Sequence, residues 1–448
     1  MPVQIECRIG SRGPDSARHT RIYIVVRESM SGPQCEITGV DADVEVSPGG
    51  ELILEVHRRG RLFGVLAIHS LFGGSARGGI RISPDVSAAE LRELAEDMTL
   101  KFGFLGLPQG GAKAGIRADA DAPEEVRFDC LKAFGRALLP LLKAKVFLPG
   151  ADMGTTTPMI RRMLVELGVR VPARELKGTR SGYFTAMTAM ASVRHAAPFV
   201  GLELDGSTAA VEGFGKVGAP LARMLAASGV KVVAVSTSCG ALYNASGIDI
   251  DHACRAAEAQ GSPFVLDYPG AERISRGQLF EVPAAIVCPC ARPDAISPSA
   301  AGAISAKLVA PGANHPYVAE TERLLHARGV LCVPDFISNC GGVLGETLAF
   351  AGWRDPEIEE YTDRRLGAAV NGLIRESQKR GVAPSDLATP LSMKRFAENA
   401  AAAERGGLTA AARGAALRLF REGLLPAAPV RIFSRRYFET RVLRPFEF

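Results

Sequence analysis

The sequence predicts an α/β protein: an N-terminal α/β domain, a second domain built on a doubly wound, mostly parallel sheet, and a run of C-terminal helices. Three observations carry that expectation. Short Val- and Ile-rich runs bounded by Gly, Pro, Ser and Asp fill the first 72 residues. A strand pattern, a Gly-x-Gly-x-x-Gly hexapeptide and a helix pattern follow one another over residues 207–228. Strand and helix patterns then alternate to residue 333, as a parallel sheet with crossover helices requires.

The 448 residues, 47% hydrophobic and 23% charged, suit two domains better than one. A net charge of +5, spread along the chain, gives little reason to expect a nucleic acid or a membrane partner. There is no membrane-length apolar run and no leader pattern, so a cytoplasmic protein is expected. Nine cysteines without a pair of Cys-x-x-Cys motifs suit a reducing compartment. Cys288-Pro289-Cys290 follows an apolar strand and reads as buried thiols, so no metal site is expected.

In chain order, strands are predicted over residues 3–9, 20–26, 51–57 and 63–68, with Ser47-Pro48-Gly49-Gly50 as a turn. Ser87 and Glu90 form a capping-box pattern ahead of a helix that ends near 103–106, with Lys101 in its last turn. Gly110-Gly111-Ala112-Lys113-Ala114-Gly115 reads as glycine-rich backbone that folds closely over a small ligand. A helix over 123–142, a strand over 145–148 leading to Asp152, an amphipathic segment over 156–167 and a helix reaching Ala196 after Gly178 to Tyr183 complete this half.

Strand 207–212 feeds Gly213-Phe214-Gly215-Lys216-Val217-Gly218, and a helix over 219–228 and a strand over 231–235 follow. This is the context that makes the hexapeptide a dinucleotide fingerprint, with the helix N-terminus offered to the phosphates, and identifies a Rossmann-type domain. No Asp or Glu lies between Gly218 and Asp249, and Ser236, Thr237 and Ser238 end the second strand. Missing negative charge removes the repulsion against a 2′-phosphate, so NAD or NADP is expected with a lean to NADP or dual use. Loops at the carboxyl ends of later strands make Asn314 and Asn339 site candidates, although each alone is more often a turn residue. Helices are predicted over 357–376 and 392–419, then a basic, aromatic tail from 430 to 448 that docks on protein.

Lysine is only about a fifth of the Lys and Arg total, and unlike arginine it can release its proton when desolvated. A lone Gly-Gly-x-Lys is more often a surface lysine than a catalytic one. Four motifs together change that balance: Ala-Arg-Gly-Gly-Ile-Arg (76–81), Met-Thr-Leu-Lys (98–101), Leu-Pro-Gln-Gly-Gly-Ala-Lys-Ala-Gly (107–115) and Pro-Gly-Ala-Asp-Met-Gly (149–154). In order and spacing they resemble the glutamate/leucine/phenylalanine/valine dehydrogenase family, and the resemblance runs over residues 65–350.

That resemblance implies NAD(P)-dependent oxidative deamination of an L-amino acid to a 2-oxo acid and ammonia, by a homo-oligomer. It implies a substrate-binding and oligomerisation domain over 1–190, a dinucleotide-binding domain over 191–350, and C-terminal helices over 351–448 that return towards the first domain. Lys101 then binds the substrate α-carboxylate, Lys113 and Asp152 are catalytic, and Gly78, Gly79 and Asn339 line the substrate. Lys113, its pKa depressed by Lys101, takes a proton from water, Asp152 shuttles protons, and closure between domains excludes water. Ser181 stands where a threonine near the nicotinamide is usual, and Lys216 where an asparagine is usual. Arg77 replaces the lysine that glutamate-specific members use for the side-chain carboxylate, and Glu346 replaces a serine with the same task. Glutamate is the leading substrate. A bulky, apolar or unusual amino acid in a biosynthetic pathway is the alternative, and a catalytically inactive nucleotide-binding regulatory subunit is the reading from another class.

Overall fold

The computed structural model describes residues 4–10, 21–27, 40–46, 51–174, 180–405, 417, 419–446 and 448. Val3, Thr20, the expected turn at 47–50, Gly178, Thr179, and residues 406–416 and 418 of the helix expected over 392–419 lie outside the described residues. The chain forms two compact units. The first comprises Met1–Gly103, Leu107–Thr179 and Arg395–Pro426, and the second comprises Phe104–Gly106, Arg180–Lys394 and Ala427–Phe448.

The strands of the first unit are β1 (Gln4–Gly10), β2 (Arg21–Arg27), β3 (Val40–Val46), β4 (Leu52–Arg58), β5 (Arg61–Ile68), β6 (Ala76–Ser83), β7 (Gly110–Arg117) and β8 (Phe147–Ala151). Among the described residues they make one sheet in the order β1-β2-β3-β4-β5-β7-β6-β8. The first five form an antiparallel meander, β7 joins β5 antiparallel, and β6 runs parallel to both β7 and β8. Strand β3 is an addition to the predicted set. Its Val-Asp-Ala-Asp-Val-Glu-Val alternation has the period of a strand, but acids at every second place lower its strand propensity.

Side-chain alternation divides the work of this sheet. Ala76, Ile80 and Ile82 of β6 and Ala112, Ala114 and Ile116 of β7 enter a core with Phe128, Leu131, Phe134, Ile160 and Met163. Those partners come from α2 (Glu124–Ala137) and α4 (Thr157–Glu166). The opposite face is covered by α1 (Ala88–Leu105), whose Leu91, Leu94 and Ala95 pack with Ile53, Val65 and Ala67. Odd-numbered residues of β6 and β7 therefore look towards α1.

Three local expectations are corrected here. The glycine-rich run around Lys113 is a buried strand rather than a loop. Its glycines serve contact: a Cβ on Gly111 would sit 2.4 Å from the Thr99 backbone nitrogen and 2.5 Å from the Ala95 carbonyl oxygen. Helix α1 continues to Leu105, so Lys101 lies about one turn inside it rather than in the last turn. The helix expected over 123–142 breaks at Leu138 into α2 and α3 (Leu139–Lys143), because Pro140 lacks the N–H that continuation needs.

The second unit holds β9 (Thr208–Glu212), β10 (Lys231–Thr237), β11 (Gly240–Tyr243), β12 (Glu272–Ile274), β13 (Ile286–Pro289), β14 (Leu308–Val309) and β15 (Leu331–Cys332). Their order is β12-β11-β10-β9-β13-β14-β15. The five strands from β10 to β15 in that order are parallel, while β11 and β12 are an antiparallel edge that the sequence reading did not foresee. Helices α5 (Ser181–Ala196), α6 (Gly218–Ala227), α7 (Ile250–Gln260), α8 (Pro298–Ala303) and α9 (Ala319–Ala327) intervene. They are followed by α10 (Asp335–Ser338), α11 (Gly341–Phe350), α12 (Asp355–Arg380), α13 (Pro384–Glu404) and α14 (Ala427–Arg441). The aromatic tail docks on its own chain: the Tyr361 hydroxyl donates to the Phe438 carbonyl at 2.9 Å, and Trp353 meets Phe438 edge-on.

Glycines separate tight from open sites. Gly111→Ala should destabilise the protein by about 1–3 kcal/mol, because backbone atoms of α1 occupy the space a methyl needs. Gly372, inside α12 with nothing within 4 Å of a built Cβ, should gain about 0.5–1 kcal/mol as alanine. Thermal or urea unfolding of both variants reads the opposite signs.

Candidate active site

The first unit brings Lys113 and Asp152 into contact. Lys113 stands on the α1 side of β7, and parallel registry sets it beside Gly79 of β6, which in turn pairs with Gly150 of β8. Asp152 follows β8, and Lys113 Nζ lies 2.6 Å from Asp152 Oδ2. A Cβ on Gly79 would fall 2.8 Å from the Asp152 Cβ, so glycine is what lets the aspartate lie across β6. Gly78 is needed on the other side, where a Cβ would overlap the Ala112 carbonyl. The Thr155 hydroxyl accepts from the Asp152 backbone N–H at 2.9 Å and donates to the Ile80 carbonyl, fixing the turn that carries the carboxylate.

Arg81 belongs to this group and was not singled out from the sequence. Its Nε donates to Asp152 Oδ2 at 3.3 Å, and it also pairs with Glu90 of α1. Glu90 thus holds Arg81, while its backbone N–H is capped by the Ser87 hydroxyl. Strand alternation was the available signal: Arg77, Gly79 and Arg81 share one face. Arg81, Lys101 and Lys113 are all buried, and Arg77 is half-buried.

The electrostatics follow from this burial. Desolvation pulls the Lys113 pKa down, Asp152 opposes that, and Arg81 and then Lys101 add to it, leaving the amine below the ordinary lysine value. Burial is therefore the first cause and Arg81 the leading cation, where the sequence argument had assigned the effect to Lys101. Asp152 is pushed up by burial, but Lys113 and Arg81 outweigh this and hold its carboxyl well below the usual carboxylate range. The result is a buried amine primed to release a proton beside a carboxylate that stays charged.

The second unit gathers the remaining candidates at the carboxyl ends of β9, β10 and β14. Gly213 has φ +89°, a Cβ on Gly218 would overlap the Gly213 carbonyl, and a Cβ on Gly215 would meet nothing within 4 Å. That is a tight turn, a close helix packing and an open cradle, in the order that a dinucleotide pyrophosphate requires, so these residues fit the cofactor. Val217 is the N-cap residue of α6. Gly182 closes on the loop, since its Cβ would lie 2.4 Å from the Lys216 carbonyl, and this sets Ser181 beside the loop. The Asn339 amide donates to the Ala313 carbonyl and to Asn314 Oδ1 at 2.9 and 3.0 Å, linking the two asparagines. Glu346 is half-buried on α11.

Other candidates turn inward. Phe214 is buried against Phe264 with ring centroids 5.5 Å apart. The Ser236 hydroxyl accepts from Gly213 N–H at 3.0 Å, and Thr237 Oγ1 donates to the Ser262 carbonyl at 2.8 Å. Two of the three hydroxyls at the end of β10 are thus used to hold the loop and its surroundings, while Ser238 is exposed. Glu212, immediately before the fingerprint, was missed. It is buried, it accepts from Ala291 N–H at 3.0 Å, and burial raises its pKa. Cys288 is buried and Cys290 half-buried, both as free thiols, with burial pushing Cys288 up to about 12. Among the described residues no helix is long and apolar enough to cross a membrane.

Comparison with known proteins agrees with this geometry. Residues 55–168 match the Glu/Leu/Phe/Val dehydrogenase dimerisation domain, and residues 179–406 match Glutamate/Leucine/Phenylalanine/Valine dehydrogenase. The chain is 30% identical over 355 residues to the NAD-specific glutamate dehydrogenase of Staphylococcus aureus, covering 75% of this chain and 85% of that protein. It is 30% identical to the glutamate dehydrogenase of Thermotoga maritima, covering 73% and 83%. Among solved structures it resembles the hetero-hexameric glutamate dehydrogenase from Thermus thermophilus, with a TM-score of 0.67 and 26% identity over 81% of this chain and 88% of that one. The chain belongs to the Glu/Leu/Phe/Val dehydrogenase family and is an amino acid dehydrogenase.

Proposed function

We propose that the protein interconverts an L-amino acid and its 2-oxo acid plus ammonia, with L-glutamate as the leading substrate and either NAD or NADP as cofactor. The observation that carries this reading is the buried Lys113–Asp152 pair on the same sheet face as Arg77 and Arg81, with Lys101 close enough to depress Lys113. Cations exceed carboxylates among these residues, which suits a substrate carrying two carboxylates.

A bound nicotinamide dinucleotide, held by Gly213, Phe214, Gly215, Lys216, Val217 and Gly218 with Ser181 and Asn314 nearby, supplies the hydride acceptor. Lys101 binds the α-carboxylate and so fixes the position of Cα. Once hydride has left Cα, the carbon of the imine takes up water. Lys113, neutral, removes the water proton, and the oxygen becomes the 2-oxo oxygen. Asp152 accepts a proton from the substrate amino group and returns it to the departing ammonia, while its charge holds protonated Lys113 in place. Gly78 and Gly79 let backbone approach the substrate without a side chain between.

The NADP lean rests on the absence of an acid after β10 and on Ser238, since Ser236 and Thr237 are already engaged. Glu346 supports a second reading, an amino acid with a bulky or unusual side chain, because a carboxylate at that place repels a substrate carboxylate. We also propose a homo-oligomer, with substrate binding assigned to residues 1–190, cofactor binding to 191–350, and 351–448 returning towards the first domain.

Reductive amination gives the direct test. Purified protein with ammonia should oxidise NADH or NADPH with 2-oxoglutarate faster than with apolar 2-oxo acids, and turnover confined to aromatic or branched 2-oxo acids would replace glutamate by the second reading. Lys113→Ala should lower kcat by about 10²–10⁴-fold while dinucleotide binding persists. Equal kcat in both proteins would remove Lys113 from the chemistry.

Arg81 acts through Lys113 and Asp152 as a positioning residue. Kcat/KM should rise with pH as Lys113 deprotonates, with a midpoint below the ordinary lysine value. Removing the Arg81 cation raises the Lys113 pKa, so Arg81→Gln should move that midpoint to higher pH. A purely structural role for Arg81 would lower the plateau without moving the midpoint.

A further inference from the structure

The C-terminal segment contributes a second guanidinium to the first unit. Residues 395–426 belong to that unit, and their end is pinned there by Arg174. The Arg174 backbone N–H donates to the Arg421 carbonyl at 3.1 Å, its Nη2 donates to the Leu425 carbonyl at 2.7 Å, and its guanidinium lies 4.3 Å from the Phe420 ring centroid. Phe420 is buried, and Arg170 pairs with Glu422 at 2.8 Å. Phe72, just before β6, meets Phe396 edge-on at 6.3 Å, a second anchor of the same segment near the start of that strand.

Arg421 is half-buried, and after burial the largest influence on it is Arg77, while Glu422 acts in the opposite sense. Two guanidiniums held near each other repel, and an anion between them is attracted by both. Arg77 lies two residues, about 7 Å along β6, from Gly79, the registry neighbour of Lys113. The substrate carbon that loses hydride has to lie by Lys113. A side chain two or three bonds long then extends towards Arg77.

We propose that Arg421, together with Arg77, binds the anionic side-chain group of the substrate and so selects acidic amino acids. This rests on the dehydrogenase reading above and assigns its specificity to a residue far from the family motifs. It also gives the C-terminal segment a task at the site: carrying the second half of a carboxylate clamp.

The test uses full-length wild type, Arg421→Gln and Arg421→Lys. Arg421→Gln should raise KM for 2-oxoglutarate by about tenfold or more with kcat little changed, leave KM for 2-oxobutyrate as it was, and be partly rescued by lysine. An unchanged KM for 2-oxoglutarate, or an equal rise for both substrates, would overturn the proposal. A second readout is independent of turnover. Glutarate, a dicarboxylate without a reacting group, should raise the melting temperature of wild type and not of Arg421→Gln, with butyrate as control. Stabilisation of both proteins alike, or of neither, would contradict the clamp even if catalysis is as proposed. Conversely, a glutarate shift lost in Arg421→Gln would stand if no 2-oxo acid were turned over, and only the catalytic reading would then fall.

Discussion

The approach of helix α1 to strand β7 is the constraint on which the first unit depends. At Gly111 the helix backbone comes so near that any Cβ would collide with it, so the two elements meet at the distance only glycine permits. That contact brings Lys101 within electrostatic reach of Lys113 and closes water out from the lysine. Gly79 repeats the device on the neighbouring strand, where it makes room for Asp152. Two absent side chains thus create a dry compartment in which an amine and a carboxylate touch.

The same strands provide both stability and chemistry through their two-residue period. Even-numbered positions of β6 and β7 enter the aliphatic core, and odd-numbered positions carry Arg77, Arg81 and Lys113. Buried charge is tolerated because it is paired: Lys113 with Asp152, Asp152 with Arg81, and Arg81 with Glu90. Removing one member leaves its neighbours as uncompensated charges. Chemistry and stability are therefore coupled along this chain of pairs.

Much of this was legible in the sequence, in the places where local chemistry is decisive. The strand, Gly-x-Gly-x-x-Gly and helix at 208–227 appeared as expected, since each glycine has its own steric reason. Lys113 and Asp152 were recognised by motif and order. Less legible were features set by tertiary packing. The run around Lys113 looked like a loop because glycine has low strand propensity, yet here it is a central strand whose glycines admit a helix. Arg81 was overlooked because its role depends on Asp152, 71 residues away. Ser236 resembled a cofactor ligand, and only the fold reveals that its hydroxyl supports Gly213.

The central claim is that burial and Arg81 prime the Lys113 amine to release its proton. Nuclear magnetic resonance of protein labelled with isotopic lysine, with Lys113 assigned by its loss in Lys113→Arg, measures this directly. The account predicts a Lys113 pKa clearly below the ordinary lysine value that rises when Arg81 is replaced by glutamine. A Lys113 that titrates at or above the ordinary value, as the Asp152 ion pair alone would dictate, would contradict it.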